Sequence, residues 1–92
     1  MMSEEREVLE KAIRVWGEKN QLLMLLEEMS DLQKEVLKNL NRGRENLNNI
    51  IESVIDVETT LARLKIIYNI EQDVAKGFSE KIHFLENILK DS

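Results

Sequence analysis

Four carboxylates fall inside the run LLEEMSDLQKE, residues 25–35: Glu27, Glu28, Asp31 and Glu35. At 100° per residue, Gln21, Glu28, Asp31 and Glu35 share about an 80° sector of a helix. Further on, Glu45, Asn49, Glu52, Asp56, Thr60 and Arg63 share a sector of roughly the same width. If the two sectors face each other, Glu28, Asp31, Glu52 and Asp56 converge on one pocket. Two carboxylates about 5 Å apart repel by roughly 3 kcal/mol at an effective dielectric near 20, so such a cluster needs a cation, a proton or water. Hard oxygen ligands without His or Cys favour Mg²⁺ or Mn²⁺, and Mg²⁺ shares its remaining positions with water and substrate phosphates. The competing reading is a solvated helix face, the commoner arrangement in a chain with 18 acidic residues.

The elements that must position these groups are helices. The 92 residues are 42% hydrophobic and 34% charged, with no proline, three glycines and few aromatics, the profile of a single all-α domain. A chain this short buries only about 60–65% of its unfolded surface when it folds alone, so self-association is expected. The net charge of −5 argues against a binder of nucleic-acid polymers, whose affinity comes from clustered Lys and Arg. An anionic ligand would need a bridging cation. There is no cysteine to form a disulfide or thiolate site, and the start MMSEEREVLE is too polar for a signal peptide. No apolar run approaches the roughly 20 residues of a membrane span. The expectation is a cytoplasmic protein without a membrane partner.

Hydrophobic periodicity predicts helices over about 3–16, 18–41, 45–69 and 71–90. Gly17 marks an end or kink after the first, and the Asn and Gly of NLNRGRE supply a cap and turn after the second. The third helix carries Leu47, Ile50, Ile51, Val54, Ile55, Val57, Leu61, Leu64, Ile66 and Ile67 over more than half its circumference. That predicts a central position, covered by a partner chain as well as its own. The fourth has Phe78, Ile82, Leu85 and Leu89 at a/d-like spacing, with Gly77 costing about 1 kcal/mol relative to alanine.

The order VWGEKNQLLMLLEEMSDL, then IIESVIDVETTLARLKIIY, resembles the MazG-like all-α nucleotide pyrophosphohydrolases, in the short form found in phages, over about residues 12–90. The counterparts of the family's pattern are Trp16 and Gly17, Gln21, Glu27 and Glu28 with Asp31 and Leu32, Glu52 with Asp56 and Val57, and Lys81 with Leu85. The resemblance implies a four-helix bundle completed as a homodimer or homotetramer. It implies Mg²⁺-dependent cleavage of a nucleoside triphosphate between the α and β phosphates. By that likeness Glu28, Asp31 and Asp56 are metal ligands, Glu27 or Glu52 a ligand or the orienting base for water, and Lys81 a phosphate contact. Two positions depart from the pattern. Asp31 is a shortened carboxylate, and Ser53 stands where the family carries an ionised ligand. The departure at Ser53 admits a weakened relative that binds or sequesters nucleotides, and the third alternative is a purely structural helical oligomer.

Trp16 either stacks on a base or packs in the core, and Gln21 either meets a base edge or ligand carboxylate or lies exposed. Lys81, three residues after Phe78, either meets phosphate or covers apolar surface with its stem. Arg63 is either an ion-pair partner or a phosphate contact. NRGREN, residues 41–46, reads as a turn or as a loop that touches phosphate.

Overall fold

The computed structural model of the chain describes residues 1–43 and 45–91, and Arg44 of NRGREN lies outside them. Among the described residues there are four helices and no strand: α1 (Ser3–Trp16), α2 (Glu18–Arg42), α3 (Leu47–Tyr68) and α4 (Glu71–Leu89). The expected boundaries hold to within two residues. Gly77 does not interrupt α4.

Local chemistry accounts for each boundary. Glu4 and Glu5 sit in the first turn of α1, where the helix dipole favours negative charge, and Glu5 Oε1 accepts from the Met2 N–H at 3.1 Å. Gly17 has φ 88 and ψ 146, a conformation open essentially to glycine alone. It ends α1 by donating to the Ile13 carbonyl at 2.8 Å, and it starts α2 by accepting from the Gln21 N–H at 3.1 Å. Asn20 Nδ2 donates to the Trp16 carbonyl at 2.8 Å, satisfying a group left open at the end of α1. α2 closes on Gly43 in the left-handed region, and α3 closes on Asn69 in the same region, with the Ile70 N–H returning to the Lys65 carbonyl at 3.0 Å.

The third helix starts at Leu47 rather than at Glu45, for a tertiary reason. Asn46, at φ −119 and ψ 34, is buried and sends Nδ2 to the Glu35 carbonyl on α2 at 2.9 Å. The side chain is thereby anchored to α2 while the Asn46 carbonyl accepts the first bond of α3 from the Ile50 N–H at 3.0 Å.

α2 and α3 form an antiparallel hairpin, with α1 packed on both and α4 packed only on α3. Arg6 bridges the first turns of α1 and α4, reaching Glu71 at 2.6 Å and Glu10 at 2.8 Å. α3 is central, as its apolar arc predicts, but the distribution of that arc is unusual. Leu25 is the only fully buried apolar side chain among the described residues, whereas Gln21, Asn46, Ser53, Thr60 and Arg63 are all buried. Leu47, Ile51, Ile55 and Leu61 of α3 lie exposed. α3 thus turns its polar face toward α2 and its apolar face outward.

Two glycine substitutions should move stability in opposite directions. Gly17→Ala forces a side chain into a backbone region alanine avoids and should cost about 1–3 kcal/mol. Gly77→Ala, at a helical site where an added Cβ meets nothing within 4 Å, should gain about 1 kcal/mol. Urea unfolding followed by circular dichroism measures both.

Candidate functional site

The polar stripes of α2 and α3 face each other across an open cleft of about 430 Å³. Glu28, Asp31, Lys34, Glu35 and Lys38 line it from α2, and Asn49, Glu52, Ser53 and Asp56 from α3. Ser53 is 8% exposed and forms the floor, while Asp31, Glu52 and Asp56 stand exposed around it.

Glu28 and Asp56 interact across the cleft. Partial burial pushes the Glu28 carboxyl above its usual value, and repulsion by Asp56 and then Asp31 pushes it further. A hydrogen bond to Asp56 also favours the protonated form of Glu28. Glu35 behaves oppositely. Hydrogen bonding from Asn46, reinforced by Lys38 at 3.3 Å, lowers its carboxyl. Glu35 is therefore committed to the turn.

A buried polar layer supports the cleft from beneath. Arg63, 8% exposed, donates through Nη1 to Gln21 Oε1 and through Nε to the Thr59 carbonyl at 3.2 Å. Thr60, 2% exposed, returns its hydroxyl to the Asp56 carbonyl at 2.7 Å. Burial lowers the Arg63 pKa, and the field of Glu28 opposes that shift. The guanidinium is thus an internal countercharge to Glu28. Gln21 is 1% exposed and its Nε2 is a buried donor without a partner, an arrangement that ordinarily costs about 1–3 kcal/mol.

The expected site residues divide accordingly. Glu28, Asp31, Glu52, Ser53 and Asp56 come together. Gln21 and Arg63 lie sealed below and do not line the cleft. Trp16 is 57% exposed at the end of α1, neither in the core nor at the cleft. Glu27 is exposed outside the cleft, where it adds only to the repulsion felt by Glu28. Lys81 is on α4, with Nζ 5.3 Å from the centre of the Phe84 ring. It covers an aromatic face and does not reach the carboxylates.

Lys34 and Lys38 were not among the expected site residues. The available signal was spacing, since each follows an acidic cleft residue by three positions on the same helix face. A larger depression, lined by Asn39, Glu45, Asn46, Asn48 and Asn49 near the hairpin turn, adjoins the cleft through Asn49. Its amides donate and accept hydrogen bonds.

The donor set suits a hard cation, with a qualification from geometry. Among the described residues no three Asp, Glu, His or Cys side chains lie close enough to form a metal cage. The Glu28–Asp56 pair is what remains, and two carboxylates completed by water and phosphate oxygens are an ordinary Mg²⁺ arrangement. No family model, curated protein or solved structure matches the chain.

Glu28 also sets a pH dependence. A carboxyl raised in the folded state binds its proton more tightly there than in the unfolded chain. Its contribution to stability therefore falls as pH climbs from 4.5 through the raised value. Glu28→Gln should raise Tm at pH 7 by roughly 2 °C, a gain that vanishes near pH 4. Thermal melts at the two pH values measure this, and equal gains at both would exclude the electrostatic cause.

Proposed function

We propose that the cleft between α2 and α3 binds a nucleoside triphosphate through a divalent cation held on Glu28 and Asp56, and that the chain hydrolyses it to a nucleoside monophosphate and pyrophosphate. The observation that carries this reading is the Glu28–Asp56 pair, two opposed carboxyls that interact across an open cleft between α2 and α3. The MazG-like order of motifs supports it from the sequence, and the same resemblance carries the proposal that the four helices form a MazG-like bundle assembled from two or four copies.

Each lining residue has a part in the proposal. Mg²⁺ bound there supplies charge neutralisation on the phosphates and acidifies a coordinated water. Glu52, exposed on the wall, accepts the proton as a water oxygen attacks the α phosphorus and the bond to the β-phosphate oxygen breaks. Lys34 and Lys38 at the rim meet the charge that accumulates on the departing pyrophosphate. Asp31 would hold water beside the cation, and the Arg63 guanidinium offsets part of the Glu28 charge from below. The amide-rich depression beyond Asn49 receives the base and sugar, with Asn side chains as hydrogen-bonding partners.

Ser53 favours a second reading, a nucleotide binder with little turnover, because a hydroxyl at the floor leaves the cation with only two close carboxylates. Pyrophosphate release from a panel of nucleoside triphosphates, with Mg²⁺ and with EDTA, separates the two. The hydrolase should release product only with the cation. Binding heat with a non-hydrolysable triphosphate but no product would favour the binder, and neither signal would leave a structural oligomer.

Ser53→Glu probes the floor. With EDTA this variant should melt below wild type, because a further carboxylate joins the five that already line the cleft. With Mg²⁺ it should recover, by a larger rise in Tm than wild type shows, and should release pyrophosphate roughly tenfold faster. An Mg²⁺-dependent Tm rise equal to that of wild type would exclude Ser53 as a ligand position.

A further inference from the structure

The single chain carries more surface than its mass allows. It exposes 7520 Å², against about 5,500 Å² for a folded monomer of this size. Its radius of gyration is 16.2 Å, against about 12 Å for a globular chain of 92 residues. The excess, about 2,000 Å² per copy, is what an obligate homodimer removes, since such interfaces bury roughly 2,000–5,000 Å² in total.

The position of the excess follows from helix lengths. α1 has 14 residues and spans ~21 Å, whereas α2 has 25 and spans ~37 Å. Because α1 turns into α2 at Gly17, it covers the N-terminal half of α2 and the C-terminal half of α3. At that end Leu25 is buried, and Leu22, Leu64, Ile66 and Ile67 are partly covered. The far end of the hairpin has no third layer. There Val36, Leu37 and Leu40 of α2 and Leu47, Ile51 and Ile55 of α3 are 37–72% exposed. The helical repeat runs Leu47, Ile51 and Ile55 as one stripe along the face of α3 turned away from α2, and it puts Val36 and Leu40 on a face of α2 away from its acidic stripe.

α4 offers the complementary face. Val74, Phe78, Ile82, Leu85, Ile88 and Leu89 share an arc of about 120° and are 40–69% exposed. Among the described residues nothing covers this stripe. From Phe78 to Leu89 it runs ~17 Å, and the bare stretch of α3 from Leu47 to Leu61 runs ~21 Å.

We propose that α4 is an exchanged arm: in a two-fold dimer each copy lays its α4 stripe on the bare far half of the other copy's α2/α3 hairpin. The arm occupies the layer that α1 is too short to fill, and it gives that end the four-helix packing the single chain lacks. Both surfaces are apolar, so their burial gains on the order of 25 cal/mol per Å². The arrangement is isologous and closed, and it leaves the acidic clefts facing outward. It deepens the self-association proposed above and does not depend on what the cleft binds.

Light scattering on the purified full chain should give a mass of two or four copies, and Phe78→Glu with Leu85→Glu should reduce it to one. A monomeric wild type, or a doubly substituted variant that stays associated, overturns the proposal. Since the chain has no cysteine, disulfide mapping supplies a second measurement that disturbs packing little. Leu85→Cys protein is mixed, after unfolding and refolding together, with Leu47→Cys, Ile51→Cys or Ile55→Cys protein. These three positions step along one exposed face, so a disulfide between the two different polypeptides should form with at least one. If wild type is associated and none forms, the exchanged arm is wrong while self-association stands. The pyrophosphate assay then judges the cleft separately.

Discussion

The contact between Arg63 and Gln21 decides which faces of α2 and α3 turn inward. A guanidinium withdrawn from water carries a penalty of several kcal/mol unless its donors are met. Here the Gln21 amide oxygen and the Thr59 carbonyl meet them, and the Glu28 carboxylate lies close enough to act on its charge. Once Arg63 points inward, the helical repeat carries Thr60, Asp56 and Ser53 toward α2 with it. The same repeat swings Leu47, Ile51 and Ile55 to the opposite side. The acidic cleft and the exposed apolar face are therefore two results of one orientation. Asn46 fixes the other end of the hairpin in the same sense by holding the Glu35 carbonyl.

Much of the framework was legible in residue order. Gly17, Gly43 and Asn69 stand at the helix boundaries because each adopts a backbone conformation that ends a helix, a local property that local sequence reports. The two acidic sectors followed from the helical repeat, and the structure sets them across one cleft. What escaped was tertiary. The two-residue delay of α3 comes from an Asn46 side chain bonded to a carbonyl eleven positions earlier. Gln21 and Arg63 shared the sectors of the cleft residues but lie one layer deeper, a difference in depth that an angular count does not contain. Trp16 is exposed because α1 ends at Gly17 before any neighbour reaches it. The four carboxylates expected at one pocket all line the cleft, but among the described residues no three of them lie close enough to hold an ion together.

Within the cleft, stability and chemistry pull apart. Glu28 is held above its ordinary pKa by the surroundings that make it useful, so the folded chain tolerates a strained carboxyl at neutral pH. Arg63 relieves part of that strain from below, and the hydroxyl of Ser53 keeps the floor neutral. A carboxylate in place of Ser53 would add to the repulsion among Glu28, Asp31, Glu52 and Asp56, so the hydroxyl leaves the cleft less negative than its motif order implies.

The clamp at Asn46 also bears on the order in which structure forms. It closes a short loop between two helices adjacent in the chain, and the Arg63–Gln21 contact then zips the same pair along its length. Loop closure over so few residues is rapid and entropically mild, and helical hairpins with local contacts assemble early. The hairpin is therefore the natural nucleus, formed by each molecule alone. In the dimer proposed above, covering its bare apolar flank would be a later encounter between molecules, and the speed of that step would depend on concentration, whereas the first does not.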